Sequence, residues 1–382
     1  MNEKYYKIDL HIHTPASKCY KGAKDDAEYI RLLKAVSDKE IDIIAITDHN
    51  SLVGYEKLFE IKNNLTMEKE ILERYKEDSE KINYSIEKIN SKLNLFNSIH
   101  ILPGVEFTIN PGIHIIVISE KKDINDLKNL LDQLGYKDDH YGMDKPIVPK
   151  MDIKDFLQNR LLENKLVIAP HVDSDNGLFN EISGMYRADS FKNDSLCAIT
   201  CNNHKQQKNI QNMILNDPNY KRNKPLAFIN ASDAHKLEEI GSKISYIKLE
   251  EPTFDNIYKK FLIPAQSISD SYNPRLKSII KNIISTEKTI LIEDLDLTNR
   301  EYVAKLLCAF FNDSYRYLIF GVSNSKELIL NGIRMTKDEI NDIIKSAMNL
   351  ININNRIPLR ISIEQLGNGR NICIISYKSD SN

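Results

Sequence analysis

Six of the nine histidines fall at the ends of apolar runs in company with carboxylates, in the order HIH, TDHN, GVEF, GIHII, PHVD and SDAH. The pattern requires a fold that brings many strand ends to one place. His11 and His13 stand two apart after the lead-in KIDL, and residues two apart on a strand share a face. Two imidazoles leaving one strand end can both reach a cation about 2.0 to 2.1 Å from each ring nitrogen. A lone His-x-His pair also occurs on solvated strands, so the argument lies in the recurrence. Asp48 and His49 follow IDIIAIT, Glu106 follows HILPGV, His114 opens IHIIVIS, His171 and Asp173 follow LVIAP, and Asp233 and His235 follow PLAFINA. Continuous β-branched runs separated by helical segments read as parallel strands buried on both faces. Polar residues just past their C-terminal ends are where α/β barrel enzymes gather their chemistry.

The series DLHIHTPAS, ITDHN, GVEF with the following His114, APHVD and NASDAH resembles, in order, the dispersed histidine motifs of the PHP (polymerase and histidinol phosphatase) family. The likeness spans roughly residues 5 to 268 and includes the closing segment ISYIKLEEPTFDNIYKKFLIPAQS. It implies an α/β fold, a distorted (β/α)7 barrel whose rim holds two or three divalent metals, commonly Zn, Mn or Fe. Carried over, His11, His13, Glu106 and Asp233 would hold one ion, with Glu106 bridging to a second held by His114 and His171. A third would use His49 and His235. Where many relatives place another His or Asp after the HxH, this chain has Lys18 and Cys19. Cys19 is expected as a thiolate ligand favouring a soft metal such as Zn, or else is merely a small residue.

Such a cluster supports hydrolysis of phosphate esters, since neighbouring metals lower the pKa of water, orient the phosphate and stabilise both attacking and leaving oxygens. No GxSxG elbow, Walker A loop or strand-following GxGxxG points to another chemistry. Asp48 and His235 are the residues expected to act directly in catalysis, Asp48 by orienting a ligand or shuttling a proton, unless it only caps the next helix. Lys18, Lys21 and Arg187 are candidates for binding substrate phosphate, the alternative being solvated loop charges. A related barrel, the amidohydrolase type, also opens with HxH but usually bridges its metals with a modified lysine, where this chain offers Glu106.

From about residue 55 to 98 the barrel carries a helical insertion. Leu58, Ile61, Leu65, Leu72, Tyr75, Ile82, Ile86, Ile89 and Leu93 keep a spacing of three and four, interrupted at Glu68 and Ser79, which is a coiled-coil seam for self-association or a hairpin turning near Asn63 or Asn83. After the linker SISDSYNPR the pattern reads helix, strand TILIEDLD, helix, strand YLIFGVS, short strand ELILNG, helix, and a hairpin across GNGR. The chain thus divides into 1–270 and a small α/β domain, 271–382. The latter, through VAKLLCAFFND and YLIFGVSNSKELILNGI, resembles the Schlafen AlbA-like domain, with Ser314, Tyr315 and Arg316 where that family has a glycine pair. That likeness implies binding of nucleic acid or a partner protein; the alternative is a plain dimerisation or packing domain. Glu293, Asp294 and Asp296 lack the family's catalytic pattern, so no second active site is expected.

The formal net charge of -2 gives no global pull toward nucleic acid. Five cysteines, odd in number and without CxxC spacing, argue for a reducing compartment. MNEKYYKIDL runs straight into the first strand without a signal peptide, and no run approaches about 18 apolar residues, so a cytoplasmic location off the membrane is expected. The expected function is a metal-dependent nuclease or phosphodiesterase acting on DNA or RNA, in phage defence, with a partner ATPase and homo-oligomers through the insertion or the C-terminal domain. The alternatives are a phosphatase for nucleotides or nucleoside bisphosphates, and a catalytically silent scaffold.

Overall fold

The computed structural model describes residues 3–74, 80–264, 268–269, 274–293, 300–324, 328–351, 359–366 and 370–377. The chain divides into two compact units, Met1–Ser269 and Asp270–Asn382.

In the first unit every β-branched run becomes a strand: β1 (Lys4–Ile12), β2 (Ile43–Ile46), β3 (His100–Ile109), β4 (Ile113–Ile118), β5 (Leu166–Ala169), β6 (Leu196–Ile199) and β7 (Ala227–Phe228), then β8 (Ser245–Leu249) and β9 (Ile268–Ser269). Helices α1 (Asp26–Asp38), α2 (Val53–Arg74), α3 (Glu80–Ser98), α4 (Ile124–Leu134), α5 (Ile153–Leu157), α6 (Leu178–Glu181), α7 (Gly184–Lys192), α8 (His204–Asn216) and α9 (Phe254–Phe261) connect them. The strands form one nine-stranded sheet in the order β7-β6-β5-β4-β3-β2-β1-β8-β9.

The expectation of all-parallel strands fails at β4. β1, β2 and β3 pair in parallel, as do β5, β6 and β7, but β4 is antiparallel to both its neighbours, and β8 is antiparallel to β1. Residues 110–112 alone separate β3 from β4, and a parallel connection needs a crossover of a dozen residues or more. The reversal explains why His114 opens its run instead of closing it. A strand running the other way meets the same rim with its first residues.

The (β/α)7 expectation is modified as well. Beyond β7 the chain returns to β1, where Ile12 and Ala234 form a parallel bridge; His13 N–H donates to the Ala234 carbonyl at 3.0 Å. Lower down, residues 4–8 of β1 pair with β8. The seven strands therefore join at the rim through a single bridge, with β8 occupying the seam below it.

Inside the curl, Tyr6, Ile8, Leu10, Ile43, Ala45, Leu102, Ile116, Ile168 and Ala198 make a buried apolar floor. Outside it, Ile12, Ile44 and Ile46 pack with Leu32, Leu33 and Val36 of α1. One irregularity positions the site. Between the pairs Asp9–Ile44 and Ile12–Ile46, β1 spends three residues where β2 spends two. That extra residue is a β-bulge, a device that re-aims side chains. It lets Leu10 face the floor while His11 and His13 face inward above it.

The insertion folds as a helical hairpin, not as one continuous coil. α2 runs uninterrupted through Asn63 and α3 through Asn83, so neither is the turn; Tyr75 and Ser79 lie outside the described residues. Leu58, Ile61, Leu65, Ile89 and Phe96 are buried in the same cluster as α1, whereas Leu72, Ile82 and Ile86 are only half-buried. The apolar seam is consumed at the base of the hairpin by the barrel wall.

In the second unit the helices Pro274–Thr286, Arg300–Asn312 and Lys337–Leu350 accompany β10 (Thr289–Ile292), β11 (Tyr317–Phe320), β12 (Val322–Asn324), β13 (Leu328–Leu330), β14 (Leu359–Gln365) and β15 (Asn371–Tyr377). A four-stranded sheet runs β10-β11-β15-β14, and β12 pairs with β13. The expected strand YLIFGVS is divided at Gly321, where φ of 87° leaves the strand conformation. Asp294, Asp296, most of the linker and most of the GNGR turn lie outside the described residues.

Leu58 is fully buried while Ile71, thirteen residues on along the same helix, is 55% exposed. Leu58→Ala should cost about 2 to 5 kcal/mol and Ile71→Ala within about 0.5 kcal/mol, read from denaturant melts. Equal small effects would mean the hairpin does not pack on the barrel.

Candidate metal centre

The rim residues converge on one buried carboxylate. Glu106, on the inward face of β3, has no exposure. Its Oε2 stands 3.2 Å from His11 Nε2, 3.2 Å from His13 Nε2 and 3.0 Å from His49 Nδ1. Its Oε1 stands 2.9 Å from His114 Nδ1 and 3.1 Å from His171 Nε2. One oxygen thus faces each of two histidine groups. Asp233 Oδ1 joins the first at 3.2 Å from His11 Nε2 and 3.3 Å from His13 Nε2, and these two nitrogens are themselves 3.1 Å apart.

These spacings fit a cation. Donors about 3.2 Å apart at the corners of a tetrahedron leave their centre about 2.0 Å from each, the length of a zinc–nitrogen or zinc–oxygen bond. The angles agree. Among the described residues, five buried side-chain atoms lack a hydrogen-bond partner, and three of them are His49 Nδ1, Glu106 Oε2 and His114 Nδ1. His49 Nδ1 stands 3.0 Å from Glu106 Oε2 and His114 Nδ1 2.9 Å from Glu106 Oε1, neither contact being a hydrogen bond, and points about 2.0 Å from both atoms of each pair exist. An unsatisfied buried polar group costs about 1 to 3 kcal/mol, which an ion at those points would remove.

Four sets could each hold an ion: His11, His13 and Asp233; His11, Glu106 and His171; His13, Cys19, His49 and His235; and His49, His114 and Asp144. Cys19 therefore lies with the two histidines expected to accompany it. Burial pushes its thiol up, and an ion would be needed to hold it as thiolate.

Electrostatics follow from the crowding. Burial alone would raise Glu106, but His11, His49 and His114 overcome it and hold the carboxyl well below its usual range. Burial likewise acts against Asp233, and His11 and His13 bring it down. Burial opposes charge on His114, yet Glu106 and Asp144 carry it up to about 9. His49 and His235 go the other way, depressed first by burial. The protons on neighbouring rings that balance these two anions are what a divalent cation would displace on binding.

The ligand atoms are held by groups behind them. Asp48 is buried and accepts from Thr14 N–H at 2.8 Å, Thr14 Oγ1 at 2.7 Å and Ser17 Oγ at 2.6 Å. Because the Ser17 hydroxyl donates to Asp48, it accepts from His13 Nδ1 at 3.1 Å, which leaves Nε2 free to face the cluster. Asp48 thus stands behind His13 through Ser17, bonded to residues 14 and 17. Asp9, also buried, accepts from Ser232 N–H at 2.9 Å and Gly241 N–H at 3.0 Å and so fixes the loop that carries Asp233. His235 Nδ1 lies 2.9 Å from the Asp233 carbonyl, and its ring stacks on that of His13 with centroids 4.2 Å apart. His171 and Asp233 have φ of 32° and 55°. Left-handed backbone costs a non-glycine residue about 1 to 3 kcal/mol and collects at functional sites.

Not every expected residue arrives. Arg187 is committed elsewhere, its Nε donating to Tyr220 Oη at 3.1 Å and its Nη1 to the Phe179 carbonyl at 3.0 Å, with the guanidinium 4.1 Å over the Phe179 ring. Lys18 and Lys21 are exposed on the loop beside Cys19, tied by their backbone amides to Gly142 and His235. Three contributors escaped the sequence reading. Ser17 and Asp9 stand inside or beside DLHIHTPAS, where their closeness to the ligands was a usable signal. Asp144, 2.6 Å from His114 Nε2, comes from an irregular loop with no pattern to mark it.

No protein-family model and no curated protein matches the chain. Among solved structures, the lesion-specific endonuclease PfuEndoQ from Pyrococcus furiosus is 12% identical, over 68% of this chain and 56% of its own, with a TM-score of 0.46. Endonuclease Q in complex with a 27-mer duplex substrate bearing an abasic lesion gives 11% identity over the same shares and a TM-score of 0.45. PsfC from Pseudomonas syringae PB-5123 gives 16% identity over 74% and 98%, with a TM-score of 0.41. The chain spans 56% of the length of the endonuclease it matches. These are loose likenesses of outline and assign no activity.

Ser17→Ala removes the hydroxyl that sets the His13 tautomer. Zinc affinity should fall about 10- to 100-fold in a calorimetric titration while the far-ultraviolet circular dichroism stays unchanged. Unaltered affinity would mean Ser17 does not govern the ring.

Proposed function

We propose that the chain is a metal-dependent phosphoester hydrolase, and specifically a nuclease or phosphodiesterase. The observation that carries this reading is the Glu106 carboxylate, which presents one oxygen to His11, His13 and His49 and the other to His114 and His171, all within 3.2 Å. A buried carboxylate so divided would be able to hold an ion at each oxygen. His11, His13 and Asp233 would complete one position, and His114 and His171 the other. His49, His235 and Cys19 would serve a third. Divalent ions bound there would lower the pKa of water toward neutrality and offset the charge on a phosphate.

The chain's own groups do the rest. Asp48, through Ser17, holds His13 in the tautomer that faces the cluster. Asp9 keeps the Asp233 loop against β1. His235, half-exposed at the mouth, stands where a proton can pass between the cluster and solvent. Lys18 and Lys21, exposed on the loop that carries Cys19, would offer positive charge to a phosphate backbone. The resemblance of residues 275–378 to the Schlafen AlbA-like domain supports nucleic acid as substrate. A second reading, a phosphatase for mononucleotides, is favoured by the formal net charge of -2, which supplies no long-range attraction for a polyanion.

Purified protein with Mn or Zn, given labelled oligonucleotides, 5′-mononucleotides and p-nitrophenyl phosphate esters, separates the two. Cleavage of oligonucleotides is expected, and cleavage of monoesters alone would reject the nuclease. His11→Ala with His13→Ala should abolish whichever activity is found. Loading the protein with zinc at about 100 times its dissociation constant should stabilise it by about 2.7 kcal/mol, seen as a higher Tm than in chelator. Identical melts would argue against a bound ion.

A further inference from the structure

We propose that Asp144 is a positioning residue for the second ion, holding His114 through Nε2 so that Nδ1 is presented to the ion beside Glu106 Oε1. The inference rests on the metal-dependent reading above and names a residue outside the histidine series.

Geometry distinguishes Asp144 from the ligands. Donors sharing one ion at about 2.0 Å stand roughly 3.2 Å apart, the spacing seen among His11, His13, Glu106 and Asp233. Asp144 Oδ1 is 2.6 Å from His114 Nε2, the length of a short charge-assisted hydrogen bond. With Nε2–H donating to Asp144, the lone pair of the ring lies on Nδ1, which is 2.9 Å from Glu106 Oε1. A carboxylate behind a ligating histidine fixes the tautomer and raises the ring's basicity.

The segment that delivers Asp144 is built for placement. Asn50, fully buried with φ of 47°, donates through Nδ2 to the carbonyls of Met143 at 2.9 Å and Asp144 at 3.0 Å. Its Oδ1 accepts from Thr108 N–H at 2.8 Å. Thr108 is the partner of His114 in the β3–β4 ladder, so the clamp and the histidine share one rung. Two residues earlier Gly142, with φ of 76°, passes so close to Ala16 that a Cβ would come within 2.1 Å of its carbonyl oxygen. Its N–H donates to the His49 carbonyl at 2.9 Å. The loop is therefore pinned through its backbone, and removing the Asp144 side chain leaves those pins intact.

The test is zinc titration into the full chain by calorimetry, with elemental analysis after dialysis and a melt for each variant. In Asp144→Ala one class of ion should weaken about 10- to 100-fold while the class that His11→Ala removes stays as tight as in the unaltered chain. Asp144→Asn, which keeps an acceptor without the charge, should lose less. Unchanged affinity of both classes, or equal weakening of both with an unchanged Tm, would overturn the role of Asp144. An unaltered chain that takes up no ion at all would instead overturn the metal-centre reading on which it rests.

Discussion

Glu106 is a carboxylate with no solvent exposure and five imidazole nitrogens within 3.2 Å, and the upper half of the first unit is organised around neutralising it. Taking a carboxylate out of water costs several kcal/mol even after relaxation. Ordinary ion pairing does not meet that cost here, because among the described residues no Lys or Arg pairs with it and Oε2 has no hydrogen-bond partner. What remains is positive charge close to those oxygens, supplied by protons on His13 and His114 or by metal cations. The second arrangement satisfies the donors that the first leaves unpaired.

Bringing residues from the start, middle and end of 235 residues to that one group takes three departures from an ideal parallel barrel. The bulge in β1 turns His11 and His13 inward without exposing Leu10. The β3–β4 hairpin supplies Glu106 and His114 as diagonal neighbours on one face, since Glu106 pairs with Ile116 and His114 with Thr108. The Ile12–Ala234 bridge folds the last loop against the first strand, so that Ala234, flanked by Asp233 and His235, lies opposite the residue between the two histidines. Each departure spoils a regular ladder locally, and each lies at the rim.

The strand runs and their histidine ends were legible because burial on both faces leaves an unbroken β-branched signature that stops where the chain reaches polar ground. Direction was not read from the runs, although the three residues between Ile109 and Ile113 already forbade a crossover. The bulge left no trace, since it arises from pairing with β2 rather than from local composition. The hairpin was half legible: a spacing of three and four marks the buried seam, but Asn63 and Asn83 are tolerated on exposed helical faces and mark no turn. Arg187 drew attention by its charge and is used for its planar fork, which bonds Tyr220 and Phe179. Asp144 was invisible for the opposite reason, since a carboxylate among DDHYGMDKP has nothing to set it apart.

A division of labour follows. The apolar floor of Tyr6, Ile8, Leu10, Ile116 and Ile168 is complete without the cluster, and the Asp48 and Asp9 networks satisfy their own hydrogen bonds within the protein. Three of the five groups that stay unsatisfied among the described residues, and the strained backbone at His171 and Asp233, lie in the layer above. A cluster whose supports are satisfied independently of its occupant is preorganised: the rings need not be gathered by the ion, only deprotonated by it. Binding free energy is then not drained into ordering the chain. The floor and the supports are thus separate, since Ser17, Asp48 and Asn50 hold groups of the cluster and its loops and lie outside the floor.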